Sequence, residues 1–488
     1  MKKIAIIGAG PGGLAAGMIL SHLGHEVTLY EKDERVGGRS QALLLDHFRF
    51  DVGPTFLMYV EILERVFQAS GYDLSNELNL LPVDPLYRLV FPKITWEPGM
   101  DEEKNAAMYE RYRVGLGDSY RQWKKEQKVK LEVIAPLLQR PFRHIFDYIK
   151  TDTLRALPRL HPFQSVYTSL KRISDTPEFI HSLSFQAKYL GMASYSAPSA
   201  FTFLPYLEHN FGLYHVEGGL HKINEKMAEL FIKNHGTLKL KTPVEKILVK
   251  DKKAYGVSVN GEEIFYDDVI LNADFSYAMT RLIDPKHLRK YHPEKLKKKD
   301  YSVSTMNIYL ALDQVFDFAH HQIVFSKDYD TYLQKLLNGE FTEDLSYYIH
   351  NPVVLDKTMA PEGKSALYIL APIPNLRSEK DWESYQKDVE SIIYSSIRER
   401  LGINLEPHII EKKIITPKDW EDDYHVYIGA VFNLSHKLSQ MMHLRPHNRF
   451  EEIKNVYLVG GGTHPGSGLP TIYQSALILK KYFVGKDE

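Results

Sequence analysis

Residues 8–13, Gly8-Ala9-Gly10-Pro11-Gly12-Gly13, constrain this chain more than any other segment. They form a G-x-G-x-x-G run between Lys3-Ile4-Ala5-Ile6-Ile7, an apolar stretch of strand length, and Leu14–Leu20, an apolar stretch of helical character. In a βαβ unit each of these glycines meets a steric need. Gly8 permits the tight turn, Gly10 lets a pyrophosphate approach the backbone, and Gly13 lets helix and strand pack closely. The amino terminus of the helix that follows then offers free N–H groups and a positive dipole end to the phosphates. His25–Tyr30 reads as a second strand, and Glu31 at its end is placed to accept hydrogen bonds from ribose hydroxyls. Lys32 follows it. Next come Gly37, Gly38 and Arg39, a glycine pair and a permanently charged planar donor suited to pyrophosphate, an element that NAD-binding folds do not need.

A second glycine cluster lies near the other end of the chain, Gly460-Gly461-Gly462-Thr463-His464-Pro465-Gly466-Ser467-Gly468-Leu469-Pro470. It joins a short buried strand, Val456–Val459, to a helix over Thr471–Phe483, with Pro470 suited to the first helical turn. A helix amino terminus aimed at a flavin ring stabilises the negative charge that develops as the ring accepts hydride. The two clusters therefore predict a redox protein whose ends close over one FAD. The loop's Gly461, Gly462, Gly468, Leu469 and Pro470 are expected at the cofactor, with His464, Gly468 and Leu469 nearest the chemistry. His464 has two readings, proton transfer or a structural hydrogen bond.

Composition narrows the alternatives. A length of 488 residues suggests two or three compact units. The 61 basic and 62 acidic residues leave a net charge of -1, which offers no footprint for nucleic acid. With no cysteine, disulfides, iron–sulfur clusters and thiol catalysis are excluded. The 21 histidines raise the question of a metal, but their spacing supplies none: His320 and His321 are adjacent, Pro446 interrupts the His443–His447 pair, and no H-E-x-x-H occurs. Lys2-Lys3 ahead of an apolar run imitates a signal peptide, yet the run is rich in glycine and leads into a second strand rather than a cleavage site. No other stretch has the length and apolarity of a membrane-spanning helix.

Between the clusters, residues 57–215 show helical patterns, beginning with Leu57, Val60, Leu63 and Phe67. Within them Arg140, Arg143, Lys150, Arg155, Arg159, Lys171 and Arg172 alternate with Phe142, Ile145, Phe146, Tyr148, Ile149, Leu154, Leu157 and Phe163. Such interleaving suits either an anionic membrane surface or a solvated helix face over its own core. A helix follows Val216-Glu217-Gly218-Gly219, and then a β-meander over Leu238–Leu240, Val244–Val249, Tyr255–Val259 and Ile264–Tyr266, with a type I′ turn at Asn260-Gly261. It leads into a buried strand ending at Asn272-Ala273-Asp274. Strands at Ser302–Leu312 and Ala366–Ala371 alternate in polarity, predicting a sheet with one covered face, and a helix spans Glu383–Leu401.

Glu31–Ser40 together with Phe50-Asp51-Val52-Gly53-Pro54-Thr55 resembles the opening of the flavin-containing amine oxidase and phytoene desaturase superfamily. Thr463-His464-Pro465-Gly466 and Gly468 are similar to the closing signature of bacterial carotenoid desaturases. Similarity to the diapophytoene (C30) branch continues through Tyr189-Leu190-Gly191, Val216–Gly219, Ala360–Gly363 and Arg445–Asn448. Gly461 stands where amine oxidases place an acidic residue, which counts against an amine substrate. The resemblance implies an α/β fold: a Rossmann-like FAD-binding domain built from residues 1–95, 216–285 and 426–488, a helical membrane-facing region over 96–215, and an α+β substrate domain over 286–425. It further implies cofactor contacts from Pro54, Thr55, Val244, Asn272 and Ala273. The implied function is FAD-dependent desaturation of an acyclic, lipophilic polyene by a peripheral protein on the cytoplasmic face of the membrane, with oxygen or a quinone as electron acceptor. Two alternatives remain at this point, a carotenoid terminal-methyl oxidase of the same fold and a non-catalytic lipid binder of the GDP-dissociation-inhibitor type.

Overall fold

In a computed structural model describing residues 1–161, 163–378 and 381–484, the amino-terminal fingerprint forms the predicted βαβ start. Strand β1 (Lys3–Ile7) leads into helix α1 (Pro11–His22) and strand β2 (Glu26–Tyr30). Three later strands complete a parallel sheet: β3 (Thr237–Lys239), β4 (Asp268–Leu271) and β5 (Val456–Leu458), in the order β3-β2-β1-β4-β5. That is the doubly wound order of dinucleotide-binding folds. β1, β2 and β4 are buried nearly throughout, as parallel strands covered on both faces must be. Helices α2 (His221–Lys233) and α3 (Leu469–Lys480) pack against α1, and Gly17 of α1 meets the ring of Phe231 on α2.

One expectation changes here. Leu238–Leu240 does not belong to the meander but pairs with β2 at the edge of the parallel sheet, where Leu238 is half-buried against the α1–α2 core. The meander itself has three antiparallel strands, Val244–Lys250, Lys253–Val259 and Glu262–Phe265. Its Asn260-Gly261 turn has φ of 51° and 76°, the two positive values a type I′ turn demands.

Five strands from the second half of the chain and two from residues 88–96 form a seven-stranded sheet, in which Ser304–Leu312 and Ser365–Ile373 pair antiparallel next to the edge strand Ile409–Ile415. The predicted single covered face is corrected: Ser304–Leu312 is buried along its whole length. Met306, Ile308, Leu310 and Leu312 point into one large core, while Tyr309 and Ala311 join a second core on the opposite face. The alternation in polarity therefore separates two buried environments rather than core from water, and Thr305 and Asn307 on the second face line a cavity.

The segment before residue 215 is helical as expected, including Glu102–Tyr112, Leu116–Leu138 and Phe203–Phe211, but it also contributes short strands at Leu57–Met58, Leu80–Val83, Arg88–Val90 and Thr95–Trp96. The helix expected from Leu57 begins only at Glu61, because Leu57–Met58 pairs with Leu213–Val216. Among the described residues no helix is long and apolar enough to cross a membrane. In the basic and aromatic stretch Phe146, Ile149, Leu154 and Phe163 are 70%, 66%, 51% and 97% exposed, whereas Phe142 is buried. The side chains of Ile145 and Leu157 lie outside those described.

Burial of histidines gives this fold a definite acid response. His464 is driven down to about 4 and His209 to about 3, in both cases chiefly because burial penalises the charged ring. In the unfolded chain both rings return to the ordinary value of about 6.5. Below that pH the unfolded state binds more protons than the native state, so stability falls as pH falls. Thermal melting should therefore decline already between about pH 6.5 and 5, before most carboxylates titrate; a melting temperature constant across that interval would contradict neutral buried rings.

Candidate functional site

The two glycine clusters meet. A Cβ on Gly12 would lie 2.6 Å from Asn272 Oδ1 and 3.0 Å from the Gly460 nitrogen, so only glycine lets these loops approach so closely. A Cβ on Gly13 would lie 2.1 Å from the Gly8 carbonyl oxygen. Asn272, just past β4, braces the junction: its backbone N–H donates to Ile7 O at 2.9 Å and its Nδ2 donates to Gly8 O at 3.0 Å. Gly8, at φ 97°, makes the turn between β1 and α1.

A cavity of about 530 Å³ opens at this junction, on the carboxyl side of the parallel strands where such folds take their ligands. Gly8, Gly10, Pro11 and Gly12 line it from the first cluster, and Gly461, Gly468, Leu469 and Pro470 from the second. The remaining expected contacts, Glu31, Lys32, Gly38, Arg39, Pro54, Thr55, Val244, Asn272 and Ala273, also stand in the wall. Glu31 is buried; its Oε2 accepts the Ala9 N–H at 2.7 Å and its Oε1 the Asp33 N–H at 3.1 Å. Each carboxylate oxygen keeps a further lone pair for a ribose hydroxyl. Burial raises the Glu31 carboxyl against the opposing pull of those two N–H groups. Lys32 is held by Asp33 Oδ1 and the Asp423 carbonyl, and Arg39 donates to Val431 O at 2.5 Å while Asp274 supplies its nearby negative charge.

Three expected residues lie outside that wall. Gly13 and Gly462 act through packing, Gly13 against Gly8 and Gly462 against Phe275, where an added Cβ would meet Phe275 Cβ at 2.6 Å. His464 is turned away from the cavity: its ring contacts Phe142, and its Nε2 donates to Arg140 O at 2.9 Å. One ring nitrogen is thus committed to a hydrogen bond within the protein, and burial keeps the ring neutral. Gly468 and Leu469 do line the cavity, and Gly468, at φ 107°, caps α3 so that its amino terminus faces the opening.

Two residues that bear on the site carry no signal of it in the sequence. Arg445 is fully buried and donates to Gly461 O at 2.8 Å and Thr463 O at 3.1 Å, with Leu434 O at 3.5 Å, so its guanidinium ties down the closing loop through carbonyls. Its place in Arg445–Asn448 is visible in the sequence only as a resemblance. Lys188 lies in the cavity wall with Ser346 Oγ at 3.3 Å and the Tyr329 ring centroid at 5.1 Å. Among the described residues no carboxylate pairs with it, and burial lowers its ammonium to about 7. A lone lysine in a helical segment has no pattern around it by which to be found.

The fit of the cradle to a dinucleotide can be broken by one carbon. Gly13→Ala must displace the Gly8 turn, an overpacking of about 1–3 kcal/mol at the phosphate site. The purified variant should hold FAD at least about tenfold more weakly, read from flavin absorbance after dialysis; full retention would show that this contact does not shape the cradle.

Residues 11–478 match the family described as flavin containing amine oxidoreductase. The chain is 43% identical over 483 residues to the 4,4'-diapophytoene desaturase (4,4'-diapolycopene-forming) of a Methylomonas species, covering 98% of this chain and 94% of that relative. It is 31% identical over 490 residues to the 4,4'-diaponeurosporene-forming enzyme of Staphylococcus aureus (strain Newman), with 98% and 97% covered. Among solved structures, an oxidoreductase from Methanosarcina mazei superposes with a TM-score of 0.67 at 15% identity, covering 98% of this chain and 100% of that one, a likeness of fold alone. The glycine cradle, the FAD it is shaped to hold and the matched span lead to one conclusion: this chain belongs to the flavin containing amine oxidoreductase family, among its carotenoid desaturases.

Proposed function

We propose that this protein introduces double bonds into an acyclic carotenoid precursor of the 4,4'-diapophytoene type, as an FAD-dependent oxidoreductase acting on CH–CH groups. The observation that carries this reading is the continuity of one cavity. It is lined both by the glycine cradle and by the apolar side chains of Ile62, Leu131, Leu138, Phe203, Leu204 and Leu207. Side chains of that kind suit a long hydrocarbon, because they offer dispersion contacts along the chain and carry no polar groups to be desolvated. The relative at 43% identity bears the name of a diapophytoene desaturase, which supports the same class of substrate.

Bound FAD supplies the hydride acceptor that such an oxidation requires. The protein's own part is to position and shield. Aromatic and aliphatic side chains hold the polyene extended and keep water out. The amino terminus of α3 favours negative charge at the closing loop, and Arg445 fixes that loop from behind. Oxygen or a quinone would serve as the terminal electron acceptor.

The substrate's residence in the bilayer favours peripheral attachment at the cytoplasmic face. Phe146, Ile149, Leu154 and Phe163 stand exposed among the basic residues of the helical region, the combination that lies in a headgroup interface.

Supplying 4,4'-diapophytoene and phytoene separately to a carotenoid-producing host that expresses the protein should give longer polyenes without carbonyl groups, with the C30 precursor preferred. Aldehyde products would replace this reading with terminal oxidation, and unchanged precursors beside a flavin-loaded protein would refute catalysis on these substrates. Attachment is read separately, by flotation with vesicles rich in anionic lipid. Wild type should float, and a variant carrying Phe146→Ser, Ile149→Ser and Phe163→Ser should remain largely in solution; equal flotation of both would place the contact elsewhere.

A further inference from the structure

The fold gathers four histidines that no sequence spacing joins. His215 lies on the Leu213–Val216 strand, His320 and His321 at the start of the His321–Val324 strand, and His350 at the end of Tyr347–His350. The last two strands pair antiparallel with His321 opposite His350. His215, His320 and His350 are 0%, 6% and 2% exposed, and one ring nitrogen from each lies within 4.8 Å of one from each of the others.

The orientation of the first ring is fixed from behind. Asp356 Oδ2 accepts from His215 Nε2 at 3.0 Å and from the Gly218 N–H at 2.6 Å, while its Oδ1 accepts from the Thr358 N–H and hydroxyl at 2.9 and 2.7 Å. With all these donors the carboxylate commits the His215 Nε2 proton and leaves Nδ1 as a bare lone pair. That nitrogen is buried with no protein partner, and a buried acceptor left without one carries a desolvation penalty that a bound cation removes. A carboxylate behind an imidazole is the arrangement that fixes the tautomer and raises the basicity of a metal ligand. The separation of His320 Nε2 from His350 Nε2, 3.4 Å, is long for a hydrogen bond. It is close to the roughly 3.3 Å expected between two nitrogens about 2.0–2.1 Å from one tetrahedral ion.

We propose that His215 through Nδ1, and His320 and His350 through Nε2, bind a divalent first-row transition-metal ion of the zinc type, with Asp356 as a positioning residue. An all-imidazole set favours such ions over magnesium or calcium, which take oxygen ligands. Closing the set on one ion draws ring nitrogens that lie within 4.8 Å of one another toward the roughly 3.3 Å spacing of a tetrahedral site, and three protein ligands leave a fourth position for water. The ion ties the small sheet that carries His215 to the large sheet that carries His350. Its role is structural: His321, bonded to Tyr348 Oη at 2.7 Å and stacked on Phe56 with centroids 4.2 Å apart, stands between the cluster and the cavity wall.

The test uses untagged, flavin-loaded protein produced with zinc in the medium and dialysed against metal-free buffer. Mass spectrometry of the metal content should find one equivalent per chain, and chelation should lower the melting temperature of the wild type. His320→Gln with His350→Gln should abolish that equivalent, and Asp356→Asn should weaken zinc binding by about 10–100-fold while flavin content stays unchanged. Wild-type protein with no bound metal and no saturable zinc uptake after chelator treatment overturns the proposal, as does a full equivalent retained in the double variant. Should the double variant fail to fold, the wild-type titration and Asp356→Asn decide the matter between them.

Discussion

The structure depends on two backbone loops lying closer together than side chains would allow. Gly12 approaches Gly460 and the side chain of Asn272, and Gly13 approaches Gly8, at separations where an added Cβ would collide. Three parts of the chain far apart in sequence are fixed by this contact: the turn after β1, the residue after β4 and the loop after β5. The order of the parallel sheet follows from it, because β1 must lie between β2 and β4, with β5 beyond β4, for these ends to meet. The cavity follows as well, since it opens where those strand ends stop.

Holding such a loop in place requires polar groups that a dry interior would otherwise penalise. Arg445 is the clearest instance. A guanidinium buried without a carboxylate is costly, yet this one donates into the carbonyls of Leu434, Gly461 and Thr463, so loop groups that face inward are satisfied by the same side chain that fixes the loop. His464 and His436 serve the loop in the same way. His464 donates to Arg140 O, and His436 Nε2 accepts the Ser467 N–H, which requires a neutral ring; burial keeps both uncharged. Both rings are thus committed to hydrogen bonds that brace the closing loop, and the surface it presents to the cavity is mostly backbone, glycine and Leu469.

The large sheet shows how one strand can serve two purposes. Along Ser304–Leu312 the even-numbered apolar residues fill one core, while Thr305 and Asn307 face the cavity and Tyr309 packs beside them. Asn307 and Tyr309 both donate to Val52 O, which fastens the sheet to the segment carrying Gly53, Pro54 and Thr55. The cavity thus borrows its floor from a sheet that is rigid because it is covered on both sides.

Local chemistry is written in the sequence. The glycine fingerprint, the I′ turn at Asn260-Gly261 and the helix start at Pro470 each depend on steric rules that act over a few residues, so they could be read directly and stand as expected. Convergence of the two glycine clusters was also legible, because each alone is shaped for the same kind of ligand. Placement over long separations was not. Leu238 could join a meander or a parallel edge with equal local propensity, and only the exposed side of β2 decided it. His464 carried a signal of chemistry, but its direction was set by the carbonyl of Arg140, far away in the chain. Lys188, Arg445 and the histidines at 215, 320 and 350 become a cavity wall, a loop anchor and a cluster only through packing. Their partners come from other strands and helices, and an energetic cost such as burial of a charge or a lone pair exists only once the fold has removed the water.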